Sequence, residues 1–104
     1  MSEWPREVFI DINPVVRIRY GRSELIPIRY AIVLETHVDG AWTAIRLWDN
    51  AHYAEEHHEH EYTRGSGKHD PVVRRFMSIN EAMADAMKRA AQDWPAILES
   101  WRRG

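Results

Sequence analysis

The segment Asp49-Asn50-Ala51-His52-Tyr53-Ala54-Glu55-Glu56-His57-His58-Glu59-His60-Glu61-Tyr62 gathers four of the chain's six histidines with five acidic residues, groups able to move protons or hold metals near neutral pH. Read as a strand, residues 57 to 62 place His58, His60 and Tyr62 on one face and His57, Glu59 and Glu61 on the other. Two imidazoles at i and i+2 can share one metal ion. With His52 reaching over from the preceding loop, the set His52, His58 and His60 makes a three-histidine divalent site for zinc, nickel or manganese. Asp49 serves there as a support or further ligand, and one coordination position stays open to water. The plainer alternative is that these His and Glu side chains only make an edge strand polar and unwilling to aggregate.

The same residues also suit metal-free chemistry on RNA. Imidazole titrates close to pH 7, so one histidine can take the 2'-hydroxyl proton of a ribose while another protonates the leaving oxygen. The assignment is His52 and His58 as the acid/base pair, Asp49 orienting His52, and His60 in support. Arg64 and Lys68 would be the phosphate contacts. The absence of cysteine removes thiolate chemistry and Cys-based zinc sites. Fourteen basic against sixteen acidic residues give a net charge of −2, so any nucleic-acid contact must be local. Gly65-Ser66-Gly67-Lys68 is too short for a phosphate loop and precedes no helix. His37 and His69 read as a stacking partner and a loop residue.

The elements that must position these groups separate by period. A chain of 104 residues, 44% hydrophobic and 29% charged, fits a single globular domain spanning 1-104. Residues up to about Met77 alternate in twos, and those from Ser78 repeat every three to four. The expected fold is α+β: an antiparallel meander of about five or six strands with one long, kinked carboxy-terminal helix on one face. Asp39-Gly40 marks a two-residue hairpin turn. A regular register from it pairs Val38 with Ala41, Thr36 with Thr43, Leu34 with Ile45 and Ile32 with Leu47. The other face then carries His37 with Trp42, Val33 with Arg46 and Ala31 with Trp48. Trp42 and Trp48 on one nominally solvent face imply either cover from the amino-terminal strands or a protein partner, including a second copy in a homodimer. Ser78-Ile79-Asn80-Glu81 reads as a capping box, after which Ile79, Ala82, Met83, Ala86, Met87, Ala90 and Trp94 form one stripe that Ile97, Leu98 and Trp101 extend if the helix passes Pro95. No stretch is long and apolar enough to span a membrane, and the first residues lack a secretory pattern, so a cytoplasmic location is expected.

Arg29-Tyr30-Ala31-Ile32-Val33, Trp48-Asp49-Asn50-Ala51-His52, His58-Glu59-His60, Glu81-Ala82-Met83 and Trp94 together resemble the TumE-like small toxin family of bacterial toxin and antitoxin operons, and related uncharacterised small bacterial domains with an Asp-x-Ala-His then His-x-His signature. The resemblance covers about two thirds of the chain. It divides the domain into residues 1-27, which lie outside it, a sheet with the histidine segment over 28-77, and the helix over 78-103. What it implies is a toxin-like role acting on RNA, with a cognate antitoxin protein as partner. The alternative reading of the same residues is a non-catalytic metal-binding or protein-interaction domain.

Overall fold

The computed structural model describes residues 7–51 and 56–104. The chain runs β1 (Val8–Asn13), β2 (Val16–Ser23), β3 (Arg29–Val38), β4 (Ala41–Asp49), β5 (His57–Thr63), β6 (Gly67–Lys68), β7 (Val72–Arg74) and α1 (Ile79–Arg103). The strands follow one another across an antiparallel sheet in chain order as far as β5, and β6 and β7 both pair with β5. The expected meander with one carboxy-terminal helix is therefore present. It has seven strands rather than five or six because the short β6 and β7 divide β5's outer edge. β7 pairs with residues 57 to 59, whereas β6 pairs with residues 62 and 63. The last strand ends at Arg74, short of the expected Met77. Phe76 instead turns its ring edge-on to His57, with centroids 5.4 Å apart.

Helix α1 begins as its sequence dictates: Ser78 Oγ accepts a hydrogen bond from the Glu81 amide at 3.1 Å, satisfying one of the first-turn donors. It continues unbroken through Pro95. Ala82, Ala86, Ala90, Ile97, Leu98 and Trp101 pack on Val16, Ile18, Tyr30, Ile32, Leu34, Ile45 and Trp48 of the sheet. The small alanines let the helix lie close to the aliphatic sheet face, and the contact buries apolar area from both. At the far end, the Arg64 amide donates to the Trp101 carbonyl at 3.0 Å and the Gly65 amide to Gly104 at 3.2 Å, so the β5–β6 turn caps the helix's last carbonyls. No helix among the described residues is long and apolar enough to cross a membrane.

The hairpin of β3 and β4 departs from a regular register at one point. Asp39 and Gly40 both take positive φ (51° and 81°), as a mirror-image turn requires, and Val38, His37 and Thr36 pair with Ala41, Trp42 and Thr43 as expected. Glu35 then faces Ala44, but Leu34 faces Arg46, leaving Ile45 as the extra residue of a β-bulge. Every later partner is shifted by one: Val33 meets Leu47, Ile32 meets Trp48 and Ala31 meets Asp49. The expected pairs Leu34 with Ile45, Ile32 with Leu47, Val33 with Arg46 and Ala31 with Trp48 do not form. The physical gain is clear, because the bulge keeps Ile45 fully buried and turns Trp48 into the core beneath α1, 4% exposed.

Trp42 and Trp48 consequently occupy opposite faces, and the aromatic face proposed as an interface does not exist as a unit. Trp42 stays on the face away from the helix, edge-on to His37 with ring centroids 5.1 Å apart, and the Arg17 guanidinium sits 4.2 Å from its ring centre and 4.5 Å from that of Phe9. This is the cover from the amino-terminal strands that the two tryptophans implied, provided for one of them. Trp48→Ala should cost about 3 to 5 kcal/mol in urea unfolding, whereas Trp42→Ala, which removes a partly exposed cation–π contact, should cost about 1 kcal/mol. Equal losses would contradict the assignment of the two indoles to different faces.

Candidate metal centre

The register of β4 against β5 assembles the site. Asp49 faces His58, Trp48 faces Glu59 and Leu47 faces His60. Since Trp48 belongs to the helix side, Asp49, His58 and His60 all project from the other face of the sheet. One ligand atom from each of these three residues lies within 4.8 Å of the others, and all three residues are buried. Donors bound to one ion at about 2.1 Å stand roughly 3 to 4 Å apart, so small side-chain rotations close the set on a cation.

The ring orientations suit ligation. His60 Nδ1 lies 2.9 Å from the carbonyl oxygen of His69. A carbonyl can only accept, so Nδ1 carries the proton and the neutral ring keeps its lone pair on Nε2. A carbonyl holding the back nitrogen of a ligand histidine is the usual support in metal centres. Glu56 Oε1 lies 3.4 Å from His58 Nε2, so a carboxylate stands beside this ring as well. Asp49 Oδ1 is buried with no hydrogen-bond partner among the described residues, which is expensive for a carboxylate oxygen unless a cation or a donor meets it. Burial and the nearby charge of Asp49 push the Tyr62 phenol above its ordinary pKa, so the third member of this face of β5 stays a neutral hydroxyl.

Neighbouring residues fix the two strands. Asn50, directly after Asp49, is fully buried and bridges to β3: its Oδ1 accepts from the Tyr30 amide at 2.8 Å and its Nδ2 donates to the Ile28 carbonyl at 3.0 Å. On the helix side of β5, Glu59 accepts hydrogen bonds from Arg46 at 2.6 Å, Arg74 at 2.7 Å and Arg89 of α1 at 3.1 Å. Burial opposes ionisation of this carboxyl, but the bonds from Arg46 and Arg74 outweigh it and hold its pKa below the usual range. His57 is shifted down by burial and then by its neighbour His58, and its Nδ1 meets the Tyr30 hydroxyl at 2.9 Å.

Of the residues singled out from sequence, Asp49, His58 and His60 come together, with Asp49 as a full member of the set. His52 lies outside the described residues. Lys68 is exposed and faces Tyr62 in the register, on the triad's side of the sheet. Arg64 is placed elsewhere, its guanidinium 5.8 Å from the ring centre of Trp101 at the end of the helix. Asn50 and Glu59 gave no separate signal in the sequence, because their roles depend on a register set by the bulge. Comparison with protein-family models, curated proteins and solved structures finds no match for this chain.

Glu59→Gln should destabilise the fold by about 3 kcal/mol, chiefly by stranding the Arg46 guanidinium; Arg74 and Arg89, each more than a third exposed, are screened by water and contribute less. A carboxyl depressed in the folded state stabilises fully above its unfolded pKa and loses that contribution as pH falls through the folded one. Thermal melts from about pH 6 down to pH 3 should therefore show a steeper acid loss in the wild type than in Glu59→Gln. Parallel profiles would remove Glu59 from that role.

Proposed function

We propose that this protein binds a divalent first-row transition ion through Asp49, His58 and His60 and keeps part of the ion's coordination sphere open. The observation that carries this reading is the convergence of three buried ligands, one of them a carboxylate with an unpartnered oxygen, on one face of two adjacent strands. Two nitrogens and one carboxylate oxygen suit zinc, nickel, manganese or ferrous iron. Among the described residues all three donors approach from the sheet, so they bind one side of the ion and leave its other side to water or another ligand. A bound divalent ion supplies Lewis acidity and a water of lowered pKa.

A toxin-like action on RNA would run through the same residues. With His58 and His60 each 7% exposed, a ribose or phosphate reaches them far less readily than it would reach the open side of an ion. RNA cleavage is thus an extension of the metal reading rather than a competitor to it, and the residue types together with the family resemblance are what support it.

Calorimetric titration of metal-stripped protein with zinc, nickel and manganese should give one site per chain. The isosteric Asp49→Asn should weaken it strongly and His60→Ala should abolish it, with far-ultraviolet circular dichroism unchanged. Affinity should fall with pH as the imidazoles protonate. At a free metal concentration 100 times Kd, the ion should add about 2.7 kcal/mol of stability, and a chelator should remove it without unfolding the chain. Weak multi-site binding that survives both substitutions would leave the histidines as buried polar residues with no metal role.

A further inference from the structure

We propose that the open side of this metal ion takes a small oxyanion, a carboxylate or a phosphate, with Arg29 as its second anchor. The inference rests on the metal reading above and adds a ligand to it.

Arg29 begins β3. Its neighbour Tyr30 is buried in the core beneath the helix, so Arg29 belongs to the opposite face, as do Ala31 and the partner of Ala31, Asp49. Arg29 is thus a diagonal cross-strand neighbour of Asp49, at a backbone separation of about 7 to 8 Å that a long side chain can bridge. The guanidinium nitrogen Nη1 of Arg29 is buried and has no hydrogen-bond partner among the described residues. The other arginines on the sheet are matched to carboxylates: Arg17 and Arg19 to Glu35, Arg22 to Glu24, and Arg46 and Arg74 to Glu59. Arg29 and Asp49 carry opposite charges at neighbouring positions, and each keeps a buried atom unpartnered instead of pairing with the other.

That arrangement makes sense if each waits for a different partner. Asp49 takes the cation, and Arg29 takes an anion bound to that cation. A planar guanidinium also matches two oxygens of a carboxylate or phosphate, and the remaining oxygen lone pairs can bind the metal. The enclosure of the ligands restricts the occupant to a small anion or the end group of a larger molecule.

Cobalt(II) tests this, because its visible spectrum reports both occupancy and coordination. The cobalt-loaded protein is titrated separately with inorganic phosphate and acetate, in the wild type, Arg29→Met and Arg29→Lys. A saturable spectral change in the wild type, weakened about tenfold in Arg29→Met and partly restored in Arg29→Lys, with cobalt affinity little altered, is the expected result. A response to phosphate alone assigns a phosphate ligand, and a response to acetate as well assigns carboxylates too. Stoichiometric cobalt binding with no anion response, or an equal response in Arg29→Met, overturns the anion site and leaves the metal reading intact. Failure of the wild type to bind cobalt overturns both.

Discussion

The single extra residue at Ile45 is the constraint on which the rest of the molecule depends. A strand's side chains alternate between faces, so one inserted residue exchanges the faces of everything beyond it. Without the bulge, Asp49 would stand opposite Tyr30, with its carboxylate beneath the helix, and Trp48 would lie on the other side. With it, the indole joins Ile32 in the core and Asp49 joins His58 and His60. Burying a large aromatic is worth several kcal/mol. That term favours the bulged register, so the packing of Trp48 and the assembly of the candidate centre are one event.

The two faces of β5 divide the labour in a related way. Glu59 ties the strand to β4 through Arg46, to β7 through Arg74 and to the helix through Arg89. The histidines on either side of it in sequence project the other way, from a backbone held on three sides. A ligand set carried on paired strands loses little freedom when it closes on an ion, unlike one carried on loops. Asn50 does for the end of β4 what Glu59 does for β5, holding the residue beside Asp49 to Tyr30 of β3 and to Ile28 just before it by two hydrogen bonds.

The architecture was legible from periodicity: the change near Ser78 from a repeat of two to one of three to four, the cap at Ser78, the turn at Asp39-Gly40 and the stripe from Ile79 to Trp101 all have the structure they imply. The pairing of His58 with His60 was equally plain, because i and i+2 in any strand share a face. What could not be read was the bulge. Ala44, Ile45 and Arg46 carry no glycine or proline to announce it, and a regular register also places aliphatic residues opposite one another. A regular register therefore misplaces Trp48, Arg46 and Leu47, and it leaves Asp49 undecided between a supporting and a ligating place. Arg29 and Glu59 could be given no specific partner for a different reason: an arginine or glutamate on an alternating strand looks like a solvated residue until its burial and partners are known.

The core also bears on what kind of metal centre the three residues would make. Aliphatic and aromatic side chains from β2, β3, β4 and α1 pack together on the face opposite the triad, with no contribution from Asp49, His58 or His60. Small domains that need a metal to fold use it in place of such a core and close all its positions with protein ligands. Here the core exists independently, and the described ligands come from one side only. An ion held this way would be free to exchange its remaining ligands. Under the proposed reading that suits chemistry or recognition at the ion rather than a staple, because the three residues stand outside the core.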